Sequence, residues 1–174
     1  MTAVQYKRRI AAVKTADAIN AIEGVPVSRY AQVLSSSWAR GEISGAQMKA
    51  ALLASHAKLD IRDEKTLYLI EAEQSRANMM LLYEQGFHDF TPEGLRNIHR
   101  FLFGDIYQWA GEYRIINIAK REKLLAGRSV WYSNDDAVAD DLVSAFQDIQ
   151  RQDWAAMPRE AFVSAVVRCF AKIW

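Results

Sequence analysis

The sequence predicts an almost wholly helical protein with a single β-hairpin, and three observations carry that prediction. Apolar residues recur at three- and four-residue steps through most of the chain. Only three prolines and eight glycines punctuate its 174 residues, and they mostly fall between the periodic stretches. One region alone, residues 113–132, gathers β-prone residues around a turn signal.

Taken in order, the first stretch runs from Thr2 to Glu23, with Ile10, Val13, Ile19 and Ile22 among polar residues. Gly24 is its stop signal, and Pro26 keeps the helix from resuming at once. A second helix is expected over Ser28 to Arg40, broken by Gly41, and Ser44 caps a third. Asp63 opens a long helix that ends near Gly86. Thr91 caps the next, with Pro92 at the first helical position, and its aromatic tail of Phe101, Phe103, Tyr107 and Trp109 is expected to fill a core. Tyr113 to Ile118 and Ser129 to Tyr132 are the expected strands of the hairpin. Ser133 or Asn134 caps a helix whose acidic first turn, from Asp135 through Asp141, suits the helix dipole. Pro158 precedes a closing helix in which Phe162, Val163, Val166, Val167, Phe170 and Ile173 form an apolar stripe that still runs at Trp174.

Composition narrows the function. Lys and Arg number 22 against 21 Asp and Glu, without the basic excess of a dedicated nucleic-acid binder. A loose helix-turn-helix over residues 27–53 carries a single basic residue, Lys49, on its would-be reading helix. The lone Cys169 leaves no disulfide framework and no cysteine-based zinc site, and its place on the apolar side of the last helix predicts a small buried hydrophobe. No apolar run reaches membrane-spanning length, and the start "MTAVQYKRR" lacks the apolar core of a signal peptide, so a cytoplasmic location is expected.

Of the three histidines, His99 reads as a structural helix residue, and His56 and His88 as surface or loop residues. None has the spacing of a metal site, and no glycine-rich phosphate loop is present. The stretch Lys120 to Arg128 reads either as a phosphate-holding hairpin tip or as a solvated one. From the residues alone, no complete active site emerges.

The segment "IHRFLFGDIYQWAGEYRIINIAK" resembles the signature region of Fic-domain proteins, in which such a helix leads into a β-hairpin flap. "LDIRDEKTLYLIEAEQSRANMMLL" is similar to the helix that opens that domain, so the resemblance covers residues 59–174. It implies transfer of AMP from ATP to a Ser, Thr or Tyr hydroxyl of a target protein, with ATP and Mg²⁺ as cofactors. In the family, the helix that "FVSAVVRCFAKIW" resembles runs into a His-Pro-Phe-x-Asp/Glu-Gly-Asn-Gly-Arg loop that holds the base, the metal ligand and the phosphate cradle. None of those residues is found here, so no catalytic or metal-binding residue is assigned. This chain is expected to be inactive as a truncated or naturally shortened form.

Within a helical module expected over residues 1–58, "AINAIEGVPVSRYAQVLSSSWARGEISGAQMKAALL" is similar to the small antitoxins that accompany Fic toxins, whose motif is Ser/Thr-x-x-x-Glu-Gly/Asn followed later by a Gly-Glu pair. Glu23 and Gly24 match, as do Gly41 and Glu42, whereas Ile19 stands where the hydroxyl is expected. The resemblance implies that Glu23 pairs with an arginine of the catalytic loop and so holds AMP transfer off. It also implies that the flap docks an extended segment of the target by strand addition, with Lys120, Arg121, Glu122 and Lys123 near the nucleotide and type II topoisomerases as the expected target. The alternative function is a non-enzymatic one, an antitoxin-like partner or a DNA-binding regulator.

Overall fold

In the computed structural model, which describes residues 1–24, 26–59, 62–121 and 129–173, the helical fold class holds. Seven α-helices and one two-stranded ribbon are found among the described residues. Contacts divide the chain into two units, Met1–His88 with Asn97–Gly111, and Asp89–Arg96 with Glu112–Trp174.

The first unit is built on α1 (Ala3–Glu23), α2 (Arg29–Arg40), α3 (Gly45–His56) and α4 (Glu64–Gln85), with the later part of α5 (Pro92–Phe103). The helix starts are where the sequence puts them. Thr2 and Ser44 each close a capping box with the glutamine three residues on, and Ser28 and Asp63 accept from the backbone of Ala31 and Thr66. Ala12, Ala16 and Asn20 repeat every four residues, so one stripe of α1 is small and buried. Small side chains let α1 lie close along α4, whose own buried stripe runs through Ile70, Glu73, Ala77 and Met80. α2 adds Trp38 and α3 adds Met48 and Leu52 to the same core. Trp38 is completely buried, its ring capped by the Arg9 guanidinium at 4.8 Å. Burial of a side chain of that size contributes about 2–3 kcal/mol.

Two sequence expectations fail in this unit. Trp109 does not fill a core: it is 56 % exposed and stacks on Tyr107 with ring centroids 4.6 Å apart. His56 is not a surface residue: only 7 % exposed, it is the last residue of α3 and faces α4. His99 behaves as a structural residue, its Nδ1 accepting the Gly111 backbone N–H at 2.9 Å, and burial lowers its pKa.

The second unit holds the start of α5, the ribbon of β1 (Ala119–Arg121) and β2 (Ser129–Trp131), α6 (Val138–Gln150) and α7 (Arg159–Ile173). The strands pair antiparallel with Ala119 opposite Trp131, Lys120 opposite Val130 and Arg121 opposite Ser129. The first strand therefore lies later than the expected Tyr113 to Ile118. Side chains occupy the backbone there: Arg114 donates to the Ile116 and Ser133 carbonyls, and Asn117 accepts the Asp135 N–H. α6 also starts later than its acidic run suggests, because residues 135–137 form a turn and Ala137, without a capping side chain, precedes the helix. α6 packs on α7 and buries Leu142, Ala145 and Phe146. α7 buries Ala165 yet leaves Val163, Val167 and Phe170 more than half exposed, and Cys169 is only half-buried.

Candidate functional site

Glu23 and Gly24, two of the residues that the sequence singles out in the first unit, lie at the elbow between α1 and α2. α1 ends on Glu23 because Gly24 turns left-handed, with φ 68°, and returns its N–H to the Asn20 and Ala21 carbonyls. An L-residue pays steric strain in that conformation, and glycine does not. The Glu23 side chain lies outside the described part of the structure; its backbone is the final helical residue. Ile19 is 38 % exposed on the same helix and Ile22 82 % exposed, so the position of the family's hydroxyl is apolar here. An open cleft of about 540 Å³ borders the elbow, lined by Asp17, Asn20, Ala21, Gly24, Pro26, Val27 and Gln32.

α4 holds both sides of this elbow with polar groups. On the α1 side, the buried Arg76 reaches Asp17 at 2.6 Å and Asn20 Nδ2 donates to the Ala72 carbonyl at 3.4 Å. On the α2 side, Glu73 Oε1 accepts the Ser28 backbone N–H at 2.8 Å, while Arg76 also donates to the Ser35 hydroxyl. The other oxygen of Glu73 lies 2.8 Å from His56 Nε2, and Gln74 Nε2 lies 3.1 Å from His56 Nδ1. Glu73, Gln74 and Arg76 are each no more than 3 % exposed. Sequence reasoning missed them, since charged residues in the middle of a helix are ordinarily solvated. The one signal was a largely polar run, "EAEQSRAN", with alanine as its one apolar residue type, where α4's buried face had to pass.

The second antitoxin-like element, Gly41 and Glu42, is a helix end of the same kind. Gly41 is left-handed at φ 78°, and Glu42 N–H returns to the Ser37 carbonyl at 2.9 Å. The Glu42 carboxylate lies fork to fork against Arg40. Hydrogen bonds from Arg40 and then Ser37 pull its pKa from the ordinary 4.5 down to about 2. The pair is structural: it closes the turn that leads to α3.

Of the four flap residues, Lys120 and Arg121 lie on β1, where their backbones pair with Val130 and Ser129, and their side chains are outside the described part. Glu122 and Lys123 lie outside the described residues altogether. The elbow belongs to the first unit and the ribbon to the second. Among the described residues, no group of three or more His, Cys, Asp or Glu is arranged to hold a metal ion. Among the described residues, no helix is long and apolar enough to cross a membrane.

No solved structure matches the chain. Residues 9–54, which run from within α1 to within α3 and include the elbow, match the family model of the antitoxin VbhA, the antitoxin-like module associated with Fic proteins.

Proposed function

We propose that residues 1–58 form an inhibitory module of antitoxin type, and that its effector is Glu23, acting on a Fic-type adenylyltransferase domain that begins at residue 59. The observation that carries this reading is the VbhA match over residues 9–54 together with the place where α1 stops inside it. A carboxylate at a helix end, followed by a left-handed glycine, is what the Glu-Gly motif requires.

The chemistry is competition for a cation. A carboxylate and a guanidinium pair through two charge-assisted hydrogen bonds, the same contacts that a γ-phosphate would make. With the arginine of the family's catalytic loop taken by Glu23, the nucleotide loses the grip that aligns its α-phosphate with the attacking hydroxyl. Glu23 needs no acid–base role, only charge and reach. The ribbon in this reading docks the target by backbone pairing, with a protein hydroxyl as the acceptor and type II topoisomerases as the expected class. The core shared by α1, α2, α3 and α4 supports inhibition within one chain.

The test uses the chain continued through the family's catalytic loop, with ATP labelled on the α-phosphate and Mg²⁺. Losing a charge-assisted hydrogen bond costs about 1.5–3 kcal/mol, so Glu23→Gly is expected to raise self-labelling by about 10- to 100-fold. Equal labelling of both forms would remove the inhibitory role. The match to an antitoxin also suits action on a separate toxin. Glu23-dependent inhibition of an added intact Fic enzyme, without any effect in cis, would favour that version.

A further inference from the structure

We propose that Glu73, held by His56, is the positioning residue of the elbow: it fixes where α2 begins and so the direction in which α1 ends at Glu23. The proposal rests on the inhibitory reading of Glu23 for its purpose, but its geometry stands apart from that reading.

Glu73 is 3 % exposed and spends both carboxylate oxygens on other elements. Oε1 takes the backbone N–H of Ser28, the N-cap residue of α2, at 2.8 Å. A carboxylate there is favoured twice, by the charge-assisted hydrogen bond and by the positive end of the α2 dipole. Oε2 is held at 2.8 Å by His56 Nε2, at the far end of α3. The Gln74 amide nitrogen faces His56 Nδ1 at 3.1 Å. Donation from that amide leaves the ring proton on Nε2, where it points at Glu73. One side chain of α4 therefore joins the start of α2 to the end of α3.

Two facts separate this arrangement from ordinary packing. First, Gln74 Oε1 is fully buried and has no hydrogen-bond partner, a cost that an apolar helix face would not carry. Second, the polar contacts bracket the elbow. Asp17 and Asn20 are tied to Arg76 and Ala72 before it, and Ser28 is tied to Glu73 after it. Buried polar groups give register at some expense of stability, and here the register they set is that of the turn between Asn20 and Ser28. The α1 anchors hold the helix down; Glu73 is the anchor on the far side of Gly24.

The test is amide hydrogen exchange on the 174-residue chain, comparing two substitutions that separate reach from charge. Glu73→Gln keeps the length of the side chain and an oxygen for the Ser28 N–H; its amide nitrogen then faces His56 Nε2, which accepts once the ring proton moves to Nδ1 and the Gln74 amide turns its oxygen toward it. Glu73→Asp keeps the charge and withdraws it by about 1.5 Å, one carbon–carbon bond. If Glu73 positions the elbow, Glu73→Asp speeds exchange of the amides at 22–24 and 27–31 by about tenfold or more, equivalent to about 1.4 kcal/mol of local opening. The interiors of α1 and α2, at 10–16 and 35–39, stay protected, and Glu73→Gln changes the elbow far less. His56→Ala, which frees Glu73 to turn, is expected to reproduce the Asp pattern. The reverse order of Gln and Asp, a uniform rise over α1 and α2, or an unchanged elbow in all three variants would overturn the proposal. Because these amides report on the elbow itself, the outcome does not depend on whether Glu23 inhibits any enzyme.

Discussion

Glu42 follows the left-handed Gly41, and both guanidinium nitrogens that Arg40 offers it are in use. Hydrogen bonding from Arg40, supplemented by Ser37, favours the ionised carboxyl strongly enough to bring its pKa to about 2 from 4.5. A folded-state pKa below the unfolded one means the stabilisation is fully present above pH 4.5 and is lost as pH falls through about 2. An NMR titration of the Glu42 carboxyl carbon is therefore expected to give a midpoint near 2 in the native chain and a return toward the ordinary value in Arg40→Ala. A native midpoint near 4.5 would show that the fork does not form in solution. Glu73, a carboxylate of the opposite kind, is buried and was invisible in the sequence. Glu42 could be found by its motif, whereas Glu73 acquires meaning only when Ser28 and His56 are brought to it from 45 and 17 residues away.

At the scale of elements, what was legible was local. Thr2, Ser28, Ser44 and Asp63 cap helices where the sequence puts caps, and Gly24 and Gly41 end helices in the left-handed region. Gly24 offers a clean test of the α1 end, because a Cβ placed there meets nothing within 4 Å and only the backbone conformation is strained. Gly24→Ala is expected to cost about 1–2 kcal/mol, lowering the melting temperature by roughly 2–8 °C for a chain of this size. Gly24→Asn, which tolerates φ above zero, should cost clearly less; equal losses would mean that α1 does not end this way. The hairpin and α6 were less legible. Pattern places a strand at Tyr113 to Ile118, but Arg114 and Asn117 claim the neighbouring backbone groups, and pairing starts only at Ala119. Asp135 and Asp136 look like a helix start, yet they form a turn before Val138.

At the scale of the whole chain, α4 is the element that sequence pattern misjudges most. Its central polar residues draw no assignment from the sequence, and they turn out to be buried where α1 and α3 pack on α4 and where Ser28 and Ser35 of the α2 region bond to it. Periodicity reports apolar faces, so a helix that buries Glu73, Gln74, Arg76 and Asn78 escapes it. The antitoxin-like stretch was legible for a different reason: Glu23-Gly24 and Gly41-Glu42 are short motifs at a set separation, and the VbhA match falls on residues 9–54 around them. The proposed inhibition rests on the charge of Glu23 rather than its bulk. The most direct measurement is the initial rate of AMP transfer, in the chain continued through the catalytic loop, for the native residue against the isosteric Glu23→Gln. A rise of about tenfold or more is expected once the charge that competes for the arginine is gone; an unchanged rate would contradict the claim that residue 23 inhibits by its carboxylate.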